Sequence, residues 1–197
     1  MNTPADGTTP LTPEEQEALI PAFVTDKNQL NEIEQQNILA AQLWLRSRRK
    51  TPPTATPKFL QELHRRMFGQ TWKWAGKYRD SDKNIGEPFY RVAPAVRELC
   101  DNATFWRNDG YYSPEQIAVK FHHRLVQIHP FANGNGRHSR LAADLLAIEL
   151  GTAPFTWGGT NLTAPGEMSA RYINALRLMD KNPDALDELL RFARGNL

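Results

Sequence analysis

Apolar residues recur at roughly helical spacing over most of the chain, and the segments between them are rich in proline, glycine and polar residues. Between Lys27 and Lys50 this period ends in the basic run "RSRRK" before two prolines, which predicts a helix with a basic C-terminus. Six further segments have the same period with their own start or stop signals, and they predict a mainly α-helical bundle. These segments are "TPKFLQELHRRMFG", "AVRELCDNATFWRND", "SPEQIAVKFHHRLVQIH", "GNGRHSRLAADLLAIELG", "GEMSARYINALRLMDKN" and "PDALDELLRFARGN".

Two stretches break the helical period. "QTWKWAGKYRDSDKNIGEPFYRVAP" mixes aromatic residues with glycine and proline, which predicts a loop and a short β-hairpin. Residues 1–26 are polar and contain prolines, which predicts an N-terminal arm. We therefore predict one domain over residues 27–197, with an N-terminal helix at 27–50 and a core at 55–197.

Composition excludes several classes of protein. The chain has 197 residues, with 24 Lys and Arg against 22 Asp and Glu, and this net charge of +2 favours neither nucleic acid nor a membrane surface as a partner. One cysteine, Cys100, rules out an intramolecular disulfide framework. The N-terminus lacks a basic segment leading into an apolar one, and no apolar run reaches the roughly 20 residues of a membrane span, so we expect a cytoplasmic protein.

The stretch "HPFANGNGRHSR", from His129 to Arg140, joins two predicted helices through a Gly-Asn-Gly turn. Glycine and asparagine tolerate positive φ, and the free N–H groups of such a turn and the next helix can bind an anion. An ordinary turn with helix caps is the alternative. Arg137 and Arg140 oppose the dipole of the helix that they begin, so an anionic group should lie beside them. An acidic side chain could serve, but arginine forks with free amides match the oxygens of a polyphosphate better.

His129 ends the helix before this turn, which places its imidazole beside the predicted anion site. A histidine of near-neutral pKa can take a proton from a hydroxyl nucleophile. The alternative is a structural histidine bonded to a carbonyl. Other signatures are absent, since the chain has no phosphate-binding loop of the G-x-x-x-x-G-K-[ST] type and no H-E-x-x-H helix. His122 and His129 have no third ligand at metal spacing, which disfavours a zinc site.

These residues resemble the signature of the Fic (Fic/Doc) family, H-x-F-x-[DE]-G-N-G-R-x-x-R. "HPFANGNGRHSR" matches every fixed position except one. The resemblance extends to "FGQTWKWAGKYR", "IAVKFHHRLVQIH" and "ARYINAL", and so spans most of the chain from about Phe59 onward. Within the family the chain most resembles the group called mobile mystery protein B.

The resemblance implies a Fic-type helical bundle with a β-hairpin flap, and transfer of AMP from Mg·ATP to a Tyr, Thr or Ser hydroxyl of a target protein. His129 would be the base that deprotonates this hydroxyl. The flap, around Asn84 to Arg91, would pair with the target backbone by strand addition. The residues implied for nucleotide binding are Gly134, Asn135, Gly136, Arg137 and Arg140, and those implied for target docking are Asn84, Ile85, Gly86 and Tyr90.

One motif position departs from the family pattern. Asn133 stands where the family places the Asp or Glu that holds magnesium, and an amide oxygen can ligate a metal but brings no negative charge. Losing a charged ligand costs about 1.5–3 kcal/mol, enough to slow catalysis. The alternatives to AMP transfer are therefore a related transfer, such as phosphorylation or removal of AMP, and a nucleotide-binding regulatory module.

Many Fic proteins carry an inhibitory glutamate in a stretch similar to S-x-x-I-E-G, which pairs with the last arginine of the motif. Here "LNEIEQQN" offers Glu34, although Leu30 and Gln35 depart from that serine and glycine. On this resemblance Glu34 is predicted to inhibit the enzyme by pairing with Arg140. An exposed helix carboxylate is the alternative.

Overall fold

The computed structural model describes residues 17–21, 23–24, 27–48, 53–159, 162 and 166–195. These residues contain seven α-helices. The predicted mainly helical fold is confirmed. The helices are α1 (Lys27–Arg46), α2 (Pro57–Phe68), α3 (Val92–Asp109), α4 (Pro114–Ile128), α5 (Asn135–Glu149), α6 (Glu167–Lys181) and α7 (Leu186–Arg194). Short 3-10 turns lie at Phe89–Arg91, Trp157–Gly159 and Pro183–Ala185.

The N-terminal predictions are only partly covered by the described residues. Of the predicted arm, residues 1–16, 22 and 25–26 lie outside them. Ala18, Leu19 and Ile20 run antiparallel to residues 71–73, with the Ile20 N–H donating to the Thr71 carbonyl at 2.8 Å. The first predicted helix ends at Arg46 rather than Lys50, and positions 49 and 50 are outside the described residues.

The helix starts follow local capping chemistry. Ser113 and Gln116 form a reciprocal capping box before α4, and the Thr56 hydroxyl accepts the Phe59 N–H before α2. Both helices have proline in the first turn, where a missing N–H costs no hydrogen bond. These signals are local in sequence, which explains why the starts of both helices were predictable.

Helix α4 is central, because it packs against α3, α5 and α7, while α1 packs on α2. Its buried face includes Ala118, Phe121, Leu125 and Ile128, each with no exposed surface. Burying side chains of the size of Phe121, Leu125 and Ile128 contributes about 1.5–3 kcal/mol each. The last turn of α4 and the first turn of α5 are therefore held firmly, and the motif turn lies between them.

The predicted β-hairpin is wrong: residues 84–91 form bends followed by the 3-10 turn, with no strand in this stretch. Side chains already bond the backbone groups that strand pairing would use. The Arg79 guanidinium donates to the carbonyls of Ser81 and Glu87, and the Asp82 carboxylate accepts the Phe89 N–H at 2.8 Å. Backbone groups that are bonded in this way are not available for the inter-strand hydrogen bonds of a hairpin.

No helix in the described ranges combines the length and the apolar composition that crossing a bilayer requires.

A largely buried carboxylate ties the loop after α5 to that helix. Asp144 Oδ1 accepts the Phe155 N–H at 3.1 Å and the Trp157 indole N–H at 2.9 Å. Burial raises the pKa of Asp144 to about 6, although these hydrogen bonds and the charges of Arg140 and Arg194 lower it.

We expect Asp144→Asn to change how stability depends on pH. Because the folded pKa lies above the unfolded one, the stability linked to Asp144 is complete below pH 3.8 and is lost as the pH rises through about 6. Between pH 4 and pH 7 the wild type should lose up to about 3 kcal/mol relative to the variant. Urea unfolding of both proteins at several pH values measures this difference. The buried histidines affect stability in the opposite direction, but they do so in both proteins, and their contribution therefore cancels in the comparison. Asp101→Asn, at an exposed site on α3, is the control, and equal pH profiles would contradict the assignment.

Candidate active site

The turn between α4 and α5 has left-handed backbone at both ends. His129 follows α4 with φ 54° and ψ 60°, and Gly134 precedes α5 with φ 76°. A side chain at position 134 would also put its Cβ 2.5 Å from the Phe68 ring. Glycine is therefore required there for both conformation and space.

Side chains from inside the turn and from α2 hold its backbone. Asn135 accepts the Phe131 N–H at 2.9 Å and donates to the Phe131 carbonyl at 2.8 Å. The fully buried His64 bonds to the Asn133 carbonyl through Nε2 at 3.0 Å, while its Nδ1 accepts the Gly76 N–H at 3.0 Å. This fixes the tautomer with the proton on Nε2. Burial lowers the pKa of His64 far below its usual value, so the neutral ring holds the turn.

The first-turn amides of α5 point out of the helix N-terminus. The first hydrogen bond of this helix joins the His138 N–H to the Gly134 carbonyl at 2.9 Å. The amides of Asn135, Gly136 and Arg137 come before it and therefore have no acceptor within the helix. The Gly134 N–H donates to Asn133 Oδ1 at 2.7 Å. Two of the three predicted phosphate-binding amides, those of Asn135 and Gly136, thus lie in the helix N-terminus.

The two motif arginines have different partners, and the predicted pairing of Glu34 with Arg140 is wrong. Glu34 Oε2 pairs with Arg137 Nη2 at 2.7 Å, and Glu34 Oε1 accepts the Trp72 indole N–H at 2.7 Å. Arg140 instead lies over the Tyr172 ring, 5.3 Å from its centroid. The indole anchors the carboxylate beside Arg137, while Arg140 is drawn toward α6. Glu34 is only 3% exposed, which excludes the alternative of a solvated helix carboxylate.

His129 is buried at 6% exposure and is neutral at physiological pH. Burial lowers its pKa to about 4, and the nearby charges of Arg79 and Lys83 lower it further, while a backbone hydrogen bond with Val126 raises it. A neutral imidazole can accept a proton. This protonation state is the one that a general base needs.

The motif arginines line a cavity of about 260 Å³ between α1 and α5. Asn31, Gln35 and Ile38 of α1 form the opposite wall. The predicted docking residues lie elsewhere, on the loop after Arg79, where Ile85 is 45% and Tyr90 is 70% exposed. The structure thus brings Glu34, the arginines and the α5 N-terminus together and leaves the docking side chains open to solvent.

The residues at the predicted metal position do not fit a charged magnesium site. Asn133 brings no charge, and its Oδ1 already accepts the Gly134 N–H. In the described ranges no group of three or more His, Cys, Asp or Glu side chains could hold a metal ion. Magnesium is usually bound through one or two carboxylates and substrate phosphates, and this position offers no carboxylate.

Three residues near the motif were not singled out from the sequence: His64, Trp72 and Arg79. His64 could have been identified from the sequence, because it is a polar residue between Leu63 and Met67 on the apolar stripe of α2. Trp72 and Arg79 lie in a segment without helical period, and their partners are 38 and 50 residues away in sequence. Nothing local to these two residues indicates those contacts.

Residues 54–147 match the model of the Fic/DOC family, and this range contains the whole motif turn, α5 up to Ala147 and the loop after Arg79. The chain therefore contains a Fic/DOC family domain.

Relatives and solved structures agree with this. The chain is 30% identical over 130 residues to the protein adenylyltransferase Fic of Drosophila willistoni, and 34% identical over 122 residues to the protein adenylyltransferase fic-1 of Caenorhabditis briggsae. These matches cover 64% and 59% of this chain, but only 25% and 22% of those relatives, so the chain spans about a quarter of their length.

The fold is similar to crystal structures of two Bartonella effector proteins. One is the BepC protein of Bartonella tribocorum with bound AMPPNP, with TM-score 0.69, 18% identity and coverage of 92% of this chain and 98% of that chain. The other is the N-terminal Fic domain of a Bartonella quintana effector, with TM-score 0.72, 17% identity and coverage of 91% and 92%. These likenesses establish the Fic fold for this chain.

In the Fic domain of this protein we expect His129 to titrate near pH 4, rather than near the usual 6.5, because burial disfavours its charged form. Long-range ¹H–¹⁵N spectra of protein labelled at histidine would follow the imidazole nitrogens between pH 3.5 and 8. The spectrum of His129→Ala identifies the signal by its loss. A midpoint above about 6 would show that the imidazole is solvated.

Proposed function

We propose that this protein is an adenylyltransferase that transfers AMP from ATP to a Tyr, Thr or Ser hydroxyl of a target protein. One arrangement supports the proposal. The neutral His129 is separated from the N-terminus of α5 only by the loop of the motif, and Arg137 and Arg140 lie near the start of that helix. A base beside an anion site is what attack of a hydroxyl on a phosphate requires.

In the proposed reaction the target hydroxyl oxygen attacks the α-phosphorus of ATP. A bond forms between that oxygen and the α-phosphorus, and the bond from the α-phosphorus to the oxygen that bridges it to the β-phosphorus breaks. Pyrophosphate leaves with the electron pair, and the hydroxyl proton passes to the imidazole of His129. The remaining catalysis is positioning and neutralisation of charge on the phosphates.

The α5 N-terminus supplies the proposed phosphate contacts. The amides of Asn135 and Gly136 favour anions together with the positive end of the helix dipole. Arg137 and Arg140 add two guanidinium groups, which bind phosphate oxygens through two parallel hydrogen bonds. The names of the two adenylyltransferase relatives and the AMPPNP bound to BepC support a nucleotide as the ligand of this site.

Helix α1 would hold this activity in check. Glu34 forms an ion pair with Arg137, so a phosphate would have to displace a buried carboxylate to bind that arginine. The cavity of about 260 Å³ beside both arginines is also smaller than the roughly 300–1,000 Å³ typical of ligand sites. We therefore propose inhibition by Glu34 through Arg137, within a single domain that begins at α1.

The exposed side chains of Ile85 and Tyr90 remain the proposed contact for the target protein. Their loop lies next to His129, since a Cβ at Gly86 would be 2.7 Å from the His129 Cβ. A target segment bound on this loop would bring its hydroxyl close to the base.

A nucleotide-binding regulatory module is the second candidate function, and Asn133 is the observation that favours it. Without a carboxylate at this position the site can bind phosphates and still lack the metal that many phosphoryl transfers need. Phosphorylation is a related activity of the same site, and it would transfer the γ-phosphate of ATP instead of the α-phosphate. Removal of AMP is another, and it would release label from a target protein that already carries [³²P]AMP.

Labelled ATP tests the proposed transfer. We expect Glu34→Gly to place label from [α-³²P]ATP, but not from [γ-³²P]ATP, on protein in a lysate, at least about tenfold more than the wild type, because Arg137 becomes free to bind phosphate. Adding His129→Ala should abolish the label. Autoradiography after gel electrophoresis measures both.

Glu32→Gly is the matched control, because Glu32 is an exposed residue of the same helix and should leave labelling at the wild-type level. Label from γ-phosphate would establish phosphorylation instead. Nucleotide binding without either label would favour the regulatory module.

Asn133→Asp should make ATP binding depend on magnesium. Aspartate can still accept the Gly134 N–H, so the turn should keep its geometry, and the new charge can bind the metal. We expect ATP affinity of the wild type to differ by less than about threefold with magnesium or with EDTA, and that of the variant by about tenfold or more. Isothermal titration in the Glu34→Gly background measures both, and strong metal dependence with Asn133 in place would contradict the account.

A further inference from the structure

The guanidinium of Arg79 lies buried between the end of α4 and the loop of residues 81–87. Its Nε donates to the His129 carbonyl at 2.7 Å, Nη1 donates to the Ser81 carbonyl at 2.9 Å, and Nη2 donates to the Glu87 carbonyl. The side chain is 1% exposed. One side chain thus bonds the backbone of the proposed base and both ends of the loop.

The backbone of Arg79 strengthens this attachment. Its N–H donates to the Pro130 carbonyl at 3.0 Å, so the carbonyls of two successive residues, His129 and Pro130, accept from one residue. A residue other than glycine in the left-handed region is held against a backbone cost of about 1–3 kcal/mol, so His129 needs such outside support.

The loop contacts the base directly. The Glu87 N–H donates to the Ile128 carbonyl at 3.2 Å, and Gly86 has φ 108° with no room for a side chain against His129 and Arg79. A displacement of the loop toward the end of α4 would therefore press on His129.

The contacts of the guanidinium are mostly with carbonyl oxygens rather than with acids. Its nearest carboxylate, Asp82, is 3.7 Å away and 65% exposed, and the Glu87 carboxylate pairs with Arg124 at 2.8 Å. A forked donor that satisfies several carbonyls sets geometry, which a lysine of the same charge cannot reproduce.

We propose that Arg79 is a positioning residue that holds His129 and the loop of residues 81–87 in one fixed arrangement. Arg79 then fixes the position of the proposed base relative to the proposed docking loop. Its hydrogen bonds are to the residues that follow α4 and to the loop, and not to the proposed nucleotide site on α5. This inference rests on the proposed role of His129, but its effect on the position of His129 can be measured without any transfer.

The test compares Arg79→Lys with Arg97→Lys, a substitution at an exposed arginine of α3, both in the Glu34→Gly background. We expect Arg79→Lys to lower kcat for AMP transfer by about 30-fold to 100-fold, since small misplacements of a reacting group have effects of this size. ATP affinity by isothermal titration should change less than twofold. The imidazole ¹⁵N signals of His129 should move while those of the other four histidines stay, and Arg97→Lys should change none of these.

Unmoved His129 signals in folded Arg79→Lys would overturn the proposal, and so would equal losses of kcat and ATP affinity with all five histidine signals displaced. If no variant transfers AMP, the proposed function fails and the His129 signals still decide the positioning role. If Arg79→Lys does not fold, Arg79→Gln replaces it, because its amide can bond only part of the carbonyls that the guanidinium bonds. Movement of the His129 signals alone would support the proposal, and unchanged signals would overturn it.

Discussion

The turn between α4 and α5 leaves helical geometry at both ends, and its buried carbonyl groups depend on donors from other parts of the chain. The carbonyls of His129, Phe131 and Asn133 accept hydrogen bonds from Arg79, Asn135 and His64. A buried carbonyl without a donor costs about 1–3 kcal/mol. The turn is therefore fixed by α2 and by the segment after it, and the position of the candidate base is a property of the whole domain.

A second constraint comes from the charge at the start of α5. An arginine in the first turn faces the positive end of the helix dipole, so it needs an anion. Glu34 supplies that anion to Arg137, and the Trp72 indole holds the carboxylate in place. A phosphate would offer Arg137 the same kind of contact, so on the proposed function the phosphate and Glu34 compete for this arginine. The balance between them is set only by the difference in their binding free energies, and any change that withdraws α1 favours the phosphate.

The sequence predicted what local signals determine. The seven helices follow from periodicity and caps such as that of Ser113, and the signature located the turn, its arginines and His129. The partner of Glu34 could not be predicted, because the choice between two arginines one turn apart depends on Trp72 and Tyr172. The loop after Arg79 resembled a hairpin, yet its carbonyls are taken by a side chain whose other acceptor, at His129, is 50 residues away. Contacts over such distances leave no periodic pattern.

Asn133 shows how one position can change electrostatics and leave geometry intact. Its side chain accepts the Gly134 N–H and its carbonyl bonds to His64, and an aspartate could make both contacts. The amide therefore supports the turn as well as an acid would, but it brings no negative charge beside the proposed phosphate site. A carboxylate at this position would repel the phosphates of a bound nucleotide, and it would also provide the charge that binds magnesium. On the proposed function, Asn133 would make binding of a nucleotide without metal less unfavourable and would weaken the binding of magnesium. If the proposed function holds, the requirements of nucleotide binding and of catalysis are separated at this single side chain.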